Sequence, residues 1–285
     1  MQSKQFRKFI LVSALGLLVT GALVFYINRL SADPDLEIIF FDVGQGDSIF
    51  INTPSDQQIL IDGGPDTRVV SKVGEQLSFF DHHLDLVVLT HAHADHIIGL
   101  VEILKRYDVD YVMYNDMDLN LDYYLEWEQV ISDQGIKVLE PVDFQEMIFG
   151  EVKFDIIYPF YKLEGDIDDL NNTSIVMRMR YHDFSALLTG DATAEVEEKI
   201  LQRDLDVSSD ILKVGHHGSK YSSSANFLEA VDPTWAIIQC GQDNKFGHPH
   251  EITLRKLHGQ GVEILRNDEL GDFEFIYDNG ELIIK

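Results

Sequence analysis

The sequence predicts an α/β fold: one domain of two mixed β-sheets flanked by helices, preceded by one N-terminal transmembrane helix. Three observations predict it. Residues 9–27 carry no charged side chain. From residue 36 onward, short runs rich in Val, Ile, Phe and Tyr alternate with stretches of helical periodicity, the pattern of strands and helices laid down in turn. The chain has 285 residues, enough for an anchor and one sizeable core.

At 1.5 Å per residue the uncharged run reaches about 28 Å as a helix, close to the hydrocarbon thickness of a bilayer. It is apolar on every face, which argues against a helix lying on a soluble core. Lys4, Arg7 and Lys8 precede it, so the positive-inside rule puts residues 1–8 in the cytoplasm. Residues 9–27 then sit in the lipid bilayer, residues 28–35 form a linker, and residues 36–285 form an extracytoplasmic domain. A cleavable signal peptide is the rival reading, with Leu30-Ser31-Ala32 as a poor cleavage site, and would make the domain secreted. The run is longer than a usual signal core, which favours a single-pass anchor in the cell membrane.

Within the domain, strands are expected at 36–41, 48–52, 58–61, 86–90, 111–114, 152–158, 174–179, 185–189, 211–214, 234–238, 263–265 and 273–277. Helices are expected at 68–79, 97–107, 121–134, 194–203, 223–230 and 252–257. The charge is one-sided: 49 acids against 22 bases, a net of −27. No acid precedes Asp33, so the imbalance belongs to the domain. Such a field repels polyanions at long range and excludes a protein that grips nucleic acid through a broad basic face. Bound metal ions would reverse the sign locally. Cys240 is the only cysteine, which excludes an intrachain disulfide and a thiolate zinc cluster. It follows the apolar run 235–238 and reads as a buried structural thiol.

The chemistry concentrates in His91-Ala92-His93-Ala94-Asp95-His96, between the apolar strand 86–90 and a helical pattern starting at Ile97. Neutral imidazoles and a carboxylate suit zinc or another borderline divalent metal. Alternation presents His91 and His93 on one side, and Asp95 and His96 turn to a second position. A metal-free polar turn would not gather three His and one Asp into six residues.

The motif resembles that of the metallo-β-lactamase superfamily, HxHxDH, without a mismatch. A closer similarity is to the hydrolase domain of ComEC-type competence proteins, which take up DNA, and their stand-alone relatives. It is carried by Phe41-Asp42-Val43-Gly44-Gln45-Gly46-Asp47-Ser48, Leu60-Ile61-Asp62-Gly63-Gly64, Asn171-Asn172-Thr173-Ser174, Leu188-Thr189-Gly190-Asp191, Lys213-Val214-Gly215-His216-His217-Gly218-Ser219 and Gly247-His248-Pro249-His250. The resemblance implies an αβ/βα sandwich and a pair of divalent cations, zinc with manganese as the alternative. It implies ligands at His91, His93, Asp95, His96, Asp191 and His216, with Asp191 bridging the cations. His217, the neighbour of His216, is the other candidate for the last ligand, or a substrate contact. Asp62 and Asn172 would orient the ligands from outside. The superfamily's third histidine on the first metal has no counterpart, because His182, the only histidine between His96 and Asp191, falls at a hairpin tip.

The resemblance also implies function. Asp95 and Asp191 would be the catalytic carboxylates of a hydrolase in which a metal-bridging hydroxide attacks in line. Donors at Lys213, His217, Ser219, Lys220 and His248 suit an anionic phosphoryl group, so a phosphodiesterase is expected, with single-stranded DNA as the substrate the family suggests. The chain lacks basic patches with interleaved aromatics that would track a strand. The alternatives are a hydrolase of cell-envelope phosphodiesters, of a β-lactam or lactone, or a non-catalytic metal-binding module. Nothing in the sequence points to a protein partner.

Overall fold

Strand β1 (Leu36–Phe40) sets the pattern of the domain. Ile38 and Phe40 join one buried cluster; Ile39 and the following Phe41 join another. Period-two alternation in a strand buried on both faces requires this. The computed structural model describes residues 35–78, 80–142, 146–163, 168–278 and 280–285, together with 16, 20 and 21. The chain divides into two units, Met1–Pro34 and Asp35–Lys285. The transmembrane run expected at 9–27 thus lies outside the described residues, apart from 16, 20 and 21. Among the described residues no helix is long and apolar enough to cross a membrane.

In the larger unit, β2 (Ile49–Asn52) and β3 (Gln58–Ile61) follow β1 antiparallel. Helices α1 (Arg68–Gln76), α2 (Ala94–Leu104) and α3 (Asp122–Gln134) then lead in turn to β4 (His83–Val88), β5 (Asp108–Met113) and β6 (Lys137–Leu139), all parallel to β3. β7 (Glu146–Phe149), β8 (Val152–Tyr158), β9 (Val176–Tyr181) and β10 (Phe184–Leu188) make an antiparallel meander. Crossovers through α4 (Ala194–Leu201), α5 (Ala225–Val231) and α6 (Glu251–Gly259) add β11 (Ile211–Lys213), β12 (Trp235–Ile238) and β13 (Glu263–Arg266) in parallel. The short α7 (Asn267–Leu270) returns the chain to the first sheet, where β14 (Phe273–Asp278) pairs with β1 and β15 (Glu281–Ile284) forms the edge. The two sheets run β15-β14-β1-β2-β3-β4-β5-β6 and β13-β12-β11-β10-β9-β8-β7.

Three apolar clusters layer the fold. Ile38, Leu86, Phe154, Met177 and Ile211 belong to the one between the sheets. Val87, Val73, Leu100 and Trp127 join the first sheet to α1–α3, and Leu187, Val196, Leu228 and Leu257 join the second sheet to α4–α6. The result is the expected sandwich, helices outside and sheets within. Sequence reading passes over β6, β7, β15 and α7. The three strands are edge-side and largely exposed, so they lack the apolar runs that mark buried ones.

The parallel strands end at one edge of the sandwich, where the loops after β3, β4, β10, β11 and β12 gather. That edge is closed by tight backbone contacts. A Cβ on Gly99 of α2 would stand 1.9 Å from the Gly63 carbonyl oxygen and 2.8 Å from that of Asp66. Gly99→Ala should therefore destabilise the fold by about 2–3 kcal/mol, read as a lower denaturant midpoint; an unchanged midpoint would mean that the two loops can separate freely.

Candidate metal centre

The strand β4 stops at Val88, and the six-residue histidine motif straddles the turn into α2. His93 is the N-cap, so Asp95 and His96 occupy the helix's first turn rather than preceding it. Polar residues there carry no apolar periodicity, which hid the turn from sequence reading. The helix N-terminus favours the Asp95 carboxylate. Gly46, at φ +145, backs this turn: a Cβ there would meet the Asp95 carbonyl oxygen at 2.2 Å.

Three of the imidazoles, those of His91, His96 and His217, are fixed by the far nitrogen. His91 Nδ1 lies 3.1 Å from the Thr90 hydroxyl. His96 Nδ1 donates to Asp62 Oδ2 at 2.8 Å, while Asp62 also accepts from the Thr90 amide and hydroxyl at 2.8 and 2.7 Å. His217 Nδ1 donates to the Gln239 carbonyl at 2.8 Å and faces Asp47 Oδ1 at 3.2 Å. The near nitrogens are thereby turned to one place. His91 Nε2 is 2.9 Å from His93 Nδ1 and 3.9 Å from Asp191 Oδ2. His96 Nε2 is 3.5 Å and His217 Nε2 3.3 Å from the same Asp191 oxygen, and His217 Nε2 is 3.4 Å from Asp95 Oδ2. Asp191 follows β10 and donates its amide to Ser174 Oγ at 3.1 Å.

Two adjoining ligand groups result, His91 with His96 and Asp191, and Asp95 with His96 and His217; within each the donor atoms lie within 4.8 Å of one another. His96 Nε2, His217 Nε2 and Asp191 Oδ1 are buried with no hydrogen-bond partner. Buried polar atoms left unpaired are costly in a fold, and a cation shared among them satisfies all three. The donor set, imidazole and carboxylate, fits a divalent metal of zinc's class.

Electrostatics agree. Burial works against charge on His96 and His217. Even so, Asp191 with Asp62 lifts the first well above the usual imidazole value, and Asp191 with Asp47 lifts the second. Burial pushes the other way on Asp95 and Asp191, but His217 and His96 hold both well below the usual carboxylate range. Burial, with the charge on His96, keeps His91 well below its ordinary value and neutral.

Residues 41–241 match the metallo-beta-lactamase superfamily. The chain belongs to that superfamily. Metallo-beta-lactamase folds bind divalent metal, and the clustered His and Asp side chains are its candidate ligands here. Among curated proteins, the chain is 29% identical over 287 residues to ComE operon protein 3 of Bacillus subtilis, covering 92% of this chain and 36% of that one. It is 26% identical over 270 residues to competence protein ComA of Neisseria gonorrhoeae, covering 91% and 35%. The chain thus spans about a third of the length of these relatives. Among solved structures it is similar to the metallo-beta-lactamase fold protein YhfI of Bacillus subtilis, with a TM-score of 0.56, 12% identity, and coverage of 85% and 99%.

Within the superfamily frame, several expected site residues stand elsewhere. His216 was the expected last ligand, but the structure brings His217 to the cluster and leaves His216 at its rim, 5.4 Å ring to ring from His248. Both histidines have left-handed backbone, φ 50 and 53, a conformation that non-glycine residues adopt at local cost. This tight one-turn helix, Gly215–Gly218, decides which ring enters, and adjacent identical residues hide the decision from sequence. Asn172 is also displaced: its amide donates to Glu195 Oε2 at 3.1 Å and its oxygen accepts from Thr193, bracing the start of α4. Its neighbour Asn171 keeps a buried, unpaired oxygen instead. Ser219 is buried and its hydroxyl accepts from the Tyr221 amide at 3.3 Å, so it braces its own loop. Lys213 is not a surface donor but fully buried, its ammonium 2.5 Å from Asp47. His248 stays beside the cluster, 6.1 Å from His217, its pKa lowered to about 4 by burial and by His217 and His216. His182 lies at the hairpin tip 3.6 Å from Glu151.

Asp47, Gln239 and Tyr123 are the residues that sequence reading missed. Asp47 stood in a quoted motif, between Gly46 and Ser48, as its only acid after Asp42, and that was the available signal. Gln239 is placed by its amide, which donates to the Phe41 and Ser48 carbonyls at 3.1 and 2.9 Å. Tyr123 stands near enough that Asp95, after burial, raises its phenol.

The raised imidazoles make metal binding a proton exchange. His96 and His217 hold protons at neutral pH in the metal-free chain, and a cation must displace both. Affinity for a divalent cation should therefore climb with pH through the neutral range, with about two protons released. Calorimetric titration in buffers of different ionisation heat counts them; zero released protons would contradict the arrangement. The same carboxylate–imidazole pairs stabilise the metal-free fold below the unfolded value of about 6.5, and that contribution fades as pH rises through the folded values.

Proposed function

We propose that the chain is a phosphodiesterase, anchored in the cell membrane by residues 9–27 with its hydrolase domain outside the cytoplasm, and working with two divalent cations, zinc or manganese. His91, His93 and Asp191 would hold one cation; Asp95, His96, His217 and the shared Asp191 the other. One observation carries the substrate class. In a chain of net charge −27, the rings of His216, His248 and His250 gather beside His217, with Lys220 next to His250 and Lys245 next to Phe246. That rim attracts an anionic phosphoryl group and gives a neutral acyl group little. The resemblance to competence proteins, among them ComA of Neisseria gonorrhoeae, favours DNA as the diester.

Divalent cations held there would lower the pKa of a bound water to about 7 and offset charge building on phosphoryl oxygens. The chain's residues supply the rest. Asp95, 28% exposed at its side chain and ionised, is placed to accept the proton of the attacking water. Asp191, ionised and buried among three imidazoles, binds and orients without donating a proton. His248, neutral through the physiological range, offers an N–H to a phosphoryl oxygen.

The full chain, purified and assayed for metal, should carry close to two ions and cleave bis-p-nitrophenyl phosphate and single-stranded DNA. EDTA should abolish this, and added zinc or manganese should restore it. Cleavage of nitrocefin alone would sink the phosphodiester reading in favour of a β-lactam or lactone hydrolase; a metal-free, inert protein would mark a silent binding module.

A further inference from the structure

The loop between β12 and α6 presents an aromatic ring that the metal centre does not use. Phe246 is 50% exposed, yet its loop is firmly built around Asn244. Asn244 Nδ2 donates to the Gly241 and His248 carbonyls at 2.9 and 2.6 Å, and Oδ1 accepts from the Phe246 and His248 amides at 3.2 and 3.0 Å. Three rings lead outward from the centre. His217 and His248 are 6.1 Å apart and inclined by 35°; His248 and Phe246 are 5.7 Å apart and inclined by only 20°. The outermost ring continues the direction of a stack and stays half exposed.

A matching pair stands across His248. His250 lies 4.9 Å from it and accepts the Lys220 amide at Nδ1, 3.1 Å away. Next comes Tyr221, 64% exposed. Lys245 lies 5.0 Å from the Phe246 centroid and Lys220 5.1 Å from that of Tyr221. Among the described residues neither ammonium is ion-paired with a carboxylate, whereas Lys72, Lys105, Lys153, Lys199 and Lys213 all are. Two free cations, each beside an exposed ring and both next to the hydrolytic centre, match what a strand offers: a phosphate and an unstacked base for each nucleotide.

The geometry points to Phe246 with Lys245, and Tyr221 with Lys220, as two specificity arms that hold unstacked nucleobases and their phosphates flanking the scissile bond. This rests on the phosphodiesterase reading and adds to it that the substrate is a strand with exposed bases, not a small diester.

The test compares kcat/KM of the metal-loaded full chain on a short oligothymidylate with that on an abasic oligomer of equal length. A stacked base should favour the first by about five- to a hundredfold. Phe246→Ala and Tyr221→Ala should each cut that ratio by a similar factor, and Phe246→Trp should keep it. Lys245→Gln and Lys220→Gln should each flatten the dependence of log KM on log salt by about 0.7. Equal turnover of both oligomers by the wild type overturns the arms while leaving the phosphodiesterase standing, as does a Phe246→Ala/Tyr221→Ala double variant that keeps the ratio. If no phosphodiester is cleaved, both readings fall together.

Discussion

The Asp191→Asn protein should lose about a thousandfold or more in kcat/KM on any phosphodiester and bind fewer than two metal ions, while keeping its fold. The reason is positional. One Asp191 oxygen lies within 3.9 Å of His91, His96 and His217 alike, so this carboxylate faces the imidazoles of both candidate cation positions. Asparagine keeps the volume and the backbone bond to Ser174 but removes the charge. Circular dichroism and metal analysis on the same sample separate the two effects. Wild-type turnover with two bound ions would show that the cluster is not the reaction centre.

Lys213→Met should cost more in stability than any other single change near the site. Lys213 and Asp47 are both almost fully buried, 2.5 Å apart, and Lys213 also donates to the Val214 carbonyl at 3.0 Å. Removing the ammonium leaves a carboxylate in the interior with only His217 to answer it. Breaking one side of such a pair costs about 3–5 kcal/mol, which in a domain of this size lowers Tm by roughly 10 °C. Replacing both partners by leucine should recover much of that stability, because no lone charge remains. It should still weaken metal binding by about 10–100-fold, since His217 loses the acid that orients it. A Lys213→Met protein melting within a degree or two of wild type would contradict this account.

These two residues also show what was legible in the sequence. Asp191 was readable because a Thr-Gly-Asp turn after an apolar strand occurs at a fixed place in the superfamily pattern. Lys213 was not: a lysine next to two histidines reads as a donor at the site, and only the register of β11 turns it inward to Asp47. The alternation of strands and helices follows from apolar periodicity, which survives in one dimension; the histidine motif is legible from its residue types, and the sandwich from the resemblance that motif carries. The choice between His216 and His217 depends on a left-handed pair of backbone angles. The separation of Asn171 and Asn172 depends on a single helical turn. Neither leaves a mark on composition or spacing. The rim was hidden for a different reason. Lys220-Tyr221 and Lys245-Phe246 are two unremarkable dipeptides far apart in sequence, and only the loops after β11 and β12 bring them to the two sides of His248.

The donor set is divided between the halves of the sandwich. His91, His93, Asp95 and His96 hang from the sheet of β1–β6, whereas Asp191 and His217 hang from that of β10–β12. A chelated ion is therefore a rivet between two leaves, and prising them apart means breaking coordinate bonds as well as separating apolar faces. Ligation at a hundred times the dissociation constant adds about 2.7 kcal/mol to the folded state, all of it lodged at the open edge where the leaves meet solvent. Loss of the ion would loosen that edge first, so metal supply would govern how durable the enzyme is as well as how fast it works.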